Sequence, residues 1–142
     1  MTARGWTRGL LIAFTAMEAV IGLWATIAPQ SFYDDGPIPG TGWVALLPPY
    51  NEHLLRDYAG MTLAMTVVLV VTAVKLTPLL VRTSMVALTL FAVPHTIFHI
   101  VHLEHFSQSA AVTQTVLLMV TVFIPIVVFA LASRLERVPA TV

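Results

Sequence analysis

Apolar residues dominate four long stretches of this chain, and short polar segments separate them. The stretches cover about 9–29, 54–75, 80–104 and 109–133. The apolar core of a bilayer is ~30 Å thick and takes roughly 20 helical residues to cross, so each stretch is long enough to span a membrane. The pattern predicts an all-α fold, an integral membrane four-helix bundle that forms a single domain over 1–142.

A longer polar segment separates the first span from the second, at about 29–50. It contains "SFYDDGPIPGTG", a run of turn-forming residues, followed by "WVALL" and two prolines. The apolar "WVALL" is too short to cross a bilayer. We therefore expect an outer loop of roughly 20 residues, long for a compact domain, that carries a short interfacial or re-entrant segment. An ordinary loop with one anchor that dips into the membrane is the alternative.

Basic residues are distributed unevenly around the four spans. Six of the seven lie near the termini or in the turn between the second and third spans, and only Arg56 lies on the other side. Cytoplasmic loops of membrane proteins carry an excess of Lys and Arg. The asymmetry predicts a multi-pass protein of the cell membrane with both termini in the cytoplasm.

Composition excludes several kinds of site. The chain has no cysteine, which rules out disulfides, thiolate metal ligands and cysteine nucleophiles. Charged residues make up 10% of the chain, against roughly a quarter in soluble domains. The sequence has no stripe of basic residues of the kind that binds nucleic acid. The predicted partner is the lipid bilayer, and an oligomer or a partner protein in a complex stays open.

Ionisable residues are concentrated in the outer half of the predicted bundle. Because a helix turns ~100° per residue, His95, His99 and His102 of "PHTIFHIVHLEHF" share one face of the third span. The second span brings Asp57 to a similar depth, and the first contributes Glu18 near mid-membrane. Ionisable groups inside a bilayer are costly and face the bundle interior. These five residues predict a polar pocket in which Glu18 is protonated or hydrogen-bonded.

The histidines suggest a metal site, because imidazole is a good ligand of zinc, copper and iron. Two histidines four residues apart can chelate one ion from a single helix, and a carboxylate or histidine of another helix would complete the set. The candidate ligands are His53, Asp57, His95, His99 and His102. Close to them in the sequence, Glu52 and Arg56 are predicted to form a surface ion pair.

Three other interpretations of these residues stay open. Two histidines on different helices, for example His53 with His99, would ligate haem b. Alternatively, Glu18, Asp57 and His99 would perform acid–base catalysis on a lipid-like substrate without a metal. The cluster would otherwise be a structural network in a non-enzymatic accessory or scaffold subunit. The sequence favours a bundle that binds a metal ion or a small hydrophobic ligand, and it leaves open whether the protein is an enzyme.

Three stretches carry a resemblance to a known group of proteins: "SFYDDGP", "PPYNEHLLRD" and "VPHTIFHIVHL". Through them the chain resembles a family of small actinobacterial four-span membrane proteins in which similar blocks recur in the same order. Its architecture is also similar, more loosely, to the DoxX-like four-span proteins. The resemblance implies the four-span membrane fold, and it implies no activity and no site residues.

Overall fold

A computed structural model of the protein describes residues 2–135, and every regular element within that range is a helix. The elements are α1 (Ala3–Ile27), α2 (Pro29–Asp35), α3 (Glu52–Lys75), α4 (Pro78–Val101) and α5 (Gln108–Leu135). In this part of the chain α1, α3, α4 and α5 are each long and apolar enough to cross a membrane. The prediction of an all-α membrane four-helix bundle is therefore confirmed.

Capping residues fix where three of the long helices begin. Thr2, Asn51 and Thr77 precede α1, α3 and α4, and each side-chain oxygen accepts a hydrogen bond from a backbone N–H three residues further on. Between α3 and α4, Leu76 adopts a left-handed backbone conformation with φ 51°. This conformation ends α3 and lets the chain reverse at once, so α3 and α4 run antiparallel.

The two ends of the bundle differ in how tightly the helices pack. We call the end with the N-terminus, the α3–α4 turn and the last turn of α5 the terminal end. The opposite end, with segments 28–51 and 102–107, is the loop end. The main core lies toward the terminal end and consists of Leu11, Phe14, Leu69, Ala73, Leu76, Val81, Met85, Leu88, Val128 and Ala132. Toward the loop end the buried cluster contains only Ala25, Phe32 and Ala59, from α1, α2 and α3.

Helix pairing explains this difference. α1 packs mainly on α3, and α4 packs mainly on α5, whereas α3 and α4 touch each other little. The shared core joins the two pairs at the terminal end, where Arg8 Nε of α1 also donates a hydrogen bond to the Ala73 carbonyl of α3 at 3.2 Å. Toward the loop end the pairs are not joined by such a core, and a cavity lies between them.

The segment between α1 and α3 contains a helix that its composition did not predict. Pro29 begins α2, and Phe32 within it is 3% exposed. Proline is favourable in the first turn of a helix because its fixed φ matches the helical value. The "WVALL" stretch forms turns, and Val44 within it packs against the cluster that contains Phe32. Both parts of the segment therefore cover the loop end.

α4 ends earlier than the predicted third span at 80–104. Its last residue is Val101, His102 is its C-cap, and Glu104 and His105 lie in a turn. The chain has only segment 102–107 in which to reverse direction before α5 begins. The predicted span at about 80–104 therefore extends past the end of α4 into residues that the chain needs for the reversal.

Candidate functional site, a cavity at the loop end

A cavity of about 860 Å³ lies between the two helix pairs. Its walls come from α1, α3, α4 and α5, and side chains of α2 and of the following loop cover it. Most of the lining side chains are apolar, among them Phe14, Ile21, Leu55, Leu88 and Leu118. Ligand pockets in proteins commonly measure roughly 300–1,000 Å³ and have mainly apolar walls. The cavity therefore has the size and surface of a small-molecule site.

Besides Asn51, the N-cap of α3, four strongly polar side chains from three of the long helices reach this apolar cavity. They are Glu18 on α1, His95 and His99 on α4, and Gln114 on α5. Gln114 is 5% exposed, and the other three are half-buried. His95 and His99 are four residues apart and so occupy one face of α4, with their ring centroids 4.6 Å apart.

Several of these groups have unused hydrogen-bonding capacity. Gln114 lies beside the His99 imidazole, yet Gln114 Nε2 and His99 Nδ1 are buried without a hydrogen-bond partner among the described residues. The Glu18 carboxyl also makes no hydrogen bond or ion pair within residues 2–135, although Tyr58 of α3 lies close enough to interact with it electrostatically. Buried polar groups are nearly always paired, and of these groups the Glu18 carboxyl is the one that a molecule in the cavity would pair with.

Aromatic rings form a continuous row along the wall of the cavity. Ring centroids are 6.3 Å apart for Phe32 and Tyr58, 6.2 Å for Tyr58 and Phe91, and 5.1 Å for Phe91 and His95. The row thus runs from α2 across α3 to α4. Phe32 is stacked on Tyr58, and Phe91 is stacked on His95, so the row gives the cavity an aromatic and mainly apolar wall.

The cavity opens at the side of the bundle. Leu54 of α3 and Phe91 and Phe98 of α4 line it and are also 65%, 48% and 49% exposed. They belong to α3 and α4, which touch each other least among adjacent long helices. In a membrane this side of the bundle would face lipid.

The structure brings together only part of the predicted polar pocket. Glu18, His95 and His99 line the cavity, and His102 is not among the lining residues. His102 follows the last residue of α4, and its Nδ1 lies 2.8 Å from the Phe98 carbonyl oxygen. Of the three histidines predicted to share the pocket, only His95 and His99 therefore line the cavity.

Asp57 and His53 lie on the outside of α3. His53 Nδ1 is 2.8 Å from Asp57 Oδ2, and the side chains are 84% and 64% exposed respectively. Asp57 immediately precedes Tyr58, which lines the cavity, so its side chain points ~100° away around the helix. On the same turn, Glu52 Oε1 and Arg56 Nη2 form an exposed ion pair at 2.8 Å.

The five predicted metal ligands lie in three places, because His102 stands apart at the C-cap of α4. His53 and Asp57 form one pair at the surface, and His95 and His99 form another in the cavity. Within the range 2–135, no group of three His, Cys, Asp or Glu side chains is placed to hold a metal ion. Binding of a transition metal or of haem b stays a prediction.

Gln114 is a cavity residue that sequence reasoning missed. It belongs to the fourth span, which holds no ionisable residue through its central part. An amide side chain is costly to expose to hydrocarbon when it has no hydrogen-bond partner. A glutamine within an apolar span was therefore a signal of an inward-facing position.

Comparisons of the chain with models of known protein families, with curated proteins and with solved structures find no match. The fold and the cavity together define an all-α multi-pass membrane protein with a cavity between its helices. Its function is accordingly inferred from the cavity.

Proposed function

We propose that the protein binds a small, mainly apolar ligand from the bilayer in the loop-end cavity. Glu18, His95, His99 and Gln114 would supply the polar contacts. The observation that carries the proposal is an apolar cavity of about 860 Å³ lined by one carboxyl group, that of Glu18, which has no hydrogen-bond or ion-pair partner among the described residues. Ligand sites are largely apolar with a few polar groups that fix the orientation of the ligand. A buried polar atom left unpaired costs about 1–3 kcal/mol, which favours a ligand with a hydrogen-bonding group.

The intrinsic tryptophans give a direct test of this proposal. Trp43 lines the cavity, whereas Trp6 is 53% exposed near the terminal end. A neutral brominated arene such as 4-bromobiphenyl quenches tryptophan emission only at close range. We expect saturable quenching of the purified protein in detergent micelles. Trp24 packs against the cavity residue Phe32, with ring centroids 5.5 Å apart, so the comparison is made in a Trp24→Phe background. In that background Trp43→Phe should remove most of the quenching, and the matched variant Trp6→Phe should retain it.

Two results would contradict binding in the cavity. One is quenching that rises without saturation, as it does for simple partition into the micelle. The other is saturable quenching that Trp6→Phe and Trp43→Phe reduce equally. In either case the brominated molecule would not be located at the loop-end cavity.

The loop end is proposed to face the outside of the cell. Arg8, Lys75, Arg82 and Arg134 all belong to the terminal end, while Arg56 is at the loop end. Positive residues remain in the cytoplasm, so this orientation places both termini inside. The ligand would then enter from the outer leaflet of the cell membrane.

Cysteine labelling in intact cells tests the orientation. The chain has no cysteine, so each introduced cysteine reports on one position alone. Asp35→Cys, exposed at the loop end, should react with a membrane-impermeant thiol reagent. Thr2→Cys should react only after the cells are permeabilised, and so should Thr141→Cys, which lies outside the described residues. Labelling of Thr2→Cys together with protection of Asp35→Cys would reverse the orientation.

The predictions of a bound transition metal, of haem b and of a partner protein are tested on the protein purified without a His-tag. Elemental analysis tests for a stoichiometric transition metal, and an absorption spectrum tests for haem b. A metal or haem present in equal amount to the protein would identify the ligand as that group. Co-purification of a stoichiometric protein partner would instead favour an accessory or scaffold role in a complex.

A further inference from the structure

We propose that the ligand is an organic cation, an amine or quaternary ammonium group on an apolar body, bound with its charge beside Glu18. This inference rests on the proposed function and adds the charge of the ligand to it. Three separate features of the molecule lead to it: the charges that line the cavity, its aromatic wall and the charge of the loop-end surface.

The charges that line the cavity are of one sign. Among the lining residues of the described chain, Glu18 is the only carboxylate, and none is a lysine or an arginine. Glu18 has no ion-pair partner within residues 2–135. An ionised carboxylate away from water is costly unless an opposite charge lies next to it. A bound cation would supply that charge, a neutral ligand would not, and an anion would be repelled.

The aromatic wall suits the same charge. Tyr58 lies within electrostatic reach of Glu18, and its ring centroid is 6.2 Å from that of Phe91. Cations are attracted to ring faces within about 6 Å of the centroid, and the attraction is stronger where water is excluded. A cation bound at the Glu18 carboxylate would also lie close to the Tyr58 ring.

The surface around the loop end is acidic. Segments 28–51 and 102–107 and the first turns of α3 carry five carboxylates against one guanidinium, that of Arg56. The carboxylates are Asp34, Asp35, Glu52, Asp57 and Glu104, and all five are exposed. A surface of one sign raises the local concentration of opposite charges and lowers that of like charges. Cations would therefore be enriched near the cavity.

Two ions of matching shape and opposite charge provide the test. Tetraphenylphosphonium and tetraphenylborate have nearly the same size and the same apolar surface. We would measure their binding to the purified full chain in micelles by equilibrium dialysis, with protein-free micelles subtracted. We expect saturable phosphonium binding with a Kd at least about tenfold lower than that of the borate, a clear difference in affinity.

Two variants assign this preference to Glu18. Glu18→Gln keeps the shape of the side chain and removes its charge, so it should abolish most of the preference for the phosphonium. Glu104→Gln removes an exposed carboxylate at the loop end that does not line the cavity. It should leave the affinity within about twofold of wild type, because single exposed charges contribute little.

Acidification provides a second measurement that needs no variant. The titratable groups that line the cavity are Glu18 on α1, Tyr33 on α2, Tyr58 on α3 and His95 and His99 on α4, while α5 contributes none among the described residues. Acid removes the negative charge of the Glu18 carboxylate. Phosphonium binding should therefore weaken as the pH falls from about 8 to about 4, where carboxylates become protonated, and borate binding should not weaken.

The possible failures separate the two proposals. Equal affinity for the two ions, or phosphonium binding that changes neither with Glu18→Gln nor with pH, would overturn the cation inference. Saturable quenching of Trp43 by the neutral arene would then still support the apolar ligand site. If neither ion binds saturably and Trp43 is not quenched, the proposed function fails together with the inference.

Discussion

Replacing Gly22 with leucine is expected to destabilise the bundle strongly, because α1 crosses α3 at this residue without room for a side chain. A Cβ atom at Gly22 would lie 2.9 Å from Leu63 Cδ2 and 3.2 Å from Thr62 Cγ2. Forcing extra atoms into a packed contact costs typically about 1–3 kcal/mol. The larger part of a leucine side chain would push the two helices apart. The thermal unfolding midpoint, followed by circular dichroism in micelles, should fall.

The same substitution at Gly60 is the matched control. Gly60 is exposed within α3, and a Cβ there would meet nothing within 4 Å. A glycine inside a helix is less favourable than alanine by roughly 0.5–1 kcal/mol, so Gly60→Leu should leave the midpoint unchanged or raise it slightly. Equal unfolding midpoints for Gly22→Leu and Gly60→Leu would show that α1 and α3 leave room for a side chain at Gly22.

This crossing also positions the site. Gly22 lies one helical turn beyond Glu18 on α1, and Thr62 lies one turn beyond Tyr58 on α3. Because α1 and α3 run in opposite directions, Glu18 lies one turn on the terminal side of this crossing and Tyr58 one turn on the loop side. Small residues let membrane helices approach closely, and the Tyr58 side chain, which reaches Thr62, lies within electrostatic range of Glu18. The packing of the α1–α3 pair and the electrostatics of the cavity therefore depend on the same glycine.

The four spans were predictable because hydrocarbon thickness sets the length of a spanning helix. Glu18, His95 and His99 could be assigned to the interior for a related reason, since an ionisable group in the middle of a span is costly in lipid. All three line the cavity. The rule needs no knowledge of the partner helices, only the depth of each residue.

The same rule gave no information about residues at the ends of the spans. Asp57 and His102 lie where side chains reach water, so their charge does not require an inward position. Asp57 pairs with His53 instead, and His102 lies beyond the end of α4. The sequence also did not predict that α1 pairs with α3 and that α4 pairs with α5. Every span is apolar on several faces, and the sequence alone does not indicate which face meets which helix.

Replacing Ala92 with tryptophan is expected to abolish ligand binding regardless of the charge of the ligand. Ala92 lies on α4 one turn before His95, lines the cavity and is 5% exposed. An indole in this position would occupy space beside Phe91 and His95 that a ligand needs. Affinity for tetraphenylphosphonium and for the neutral arene should both fall by at least about tenfold, or ~1.4 kcal/mol.

Comparison with Glu18→Gln separates the two effects. Loss of the Glu18 charge should weaken binding of the phosphonium alone, whereas loss of space should weaken binding of both the phosphonium and the neutral arene. Ala64→Trp, at an exposed position of α3 that does not line the cavity, should bind both probes as wild type does. Leu117→Trp adds a second obstruction at a cavity residue that is 42% exposed, where an indole is less disruptive to packing. Thermal unfolding of each variant separates obstruction from misfolding. If both cavity variants fold and still bind the probes normally, the ligand does not occupy the space between the two helix pairs.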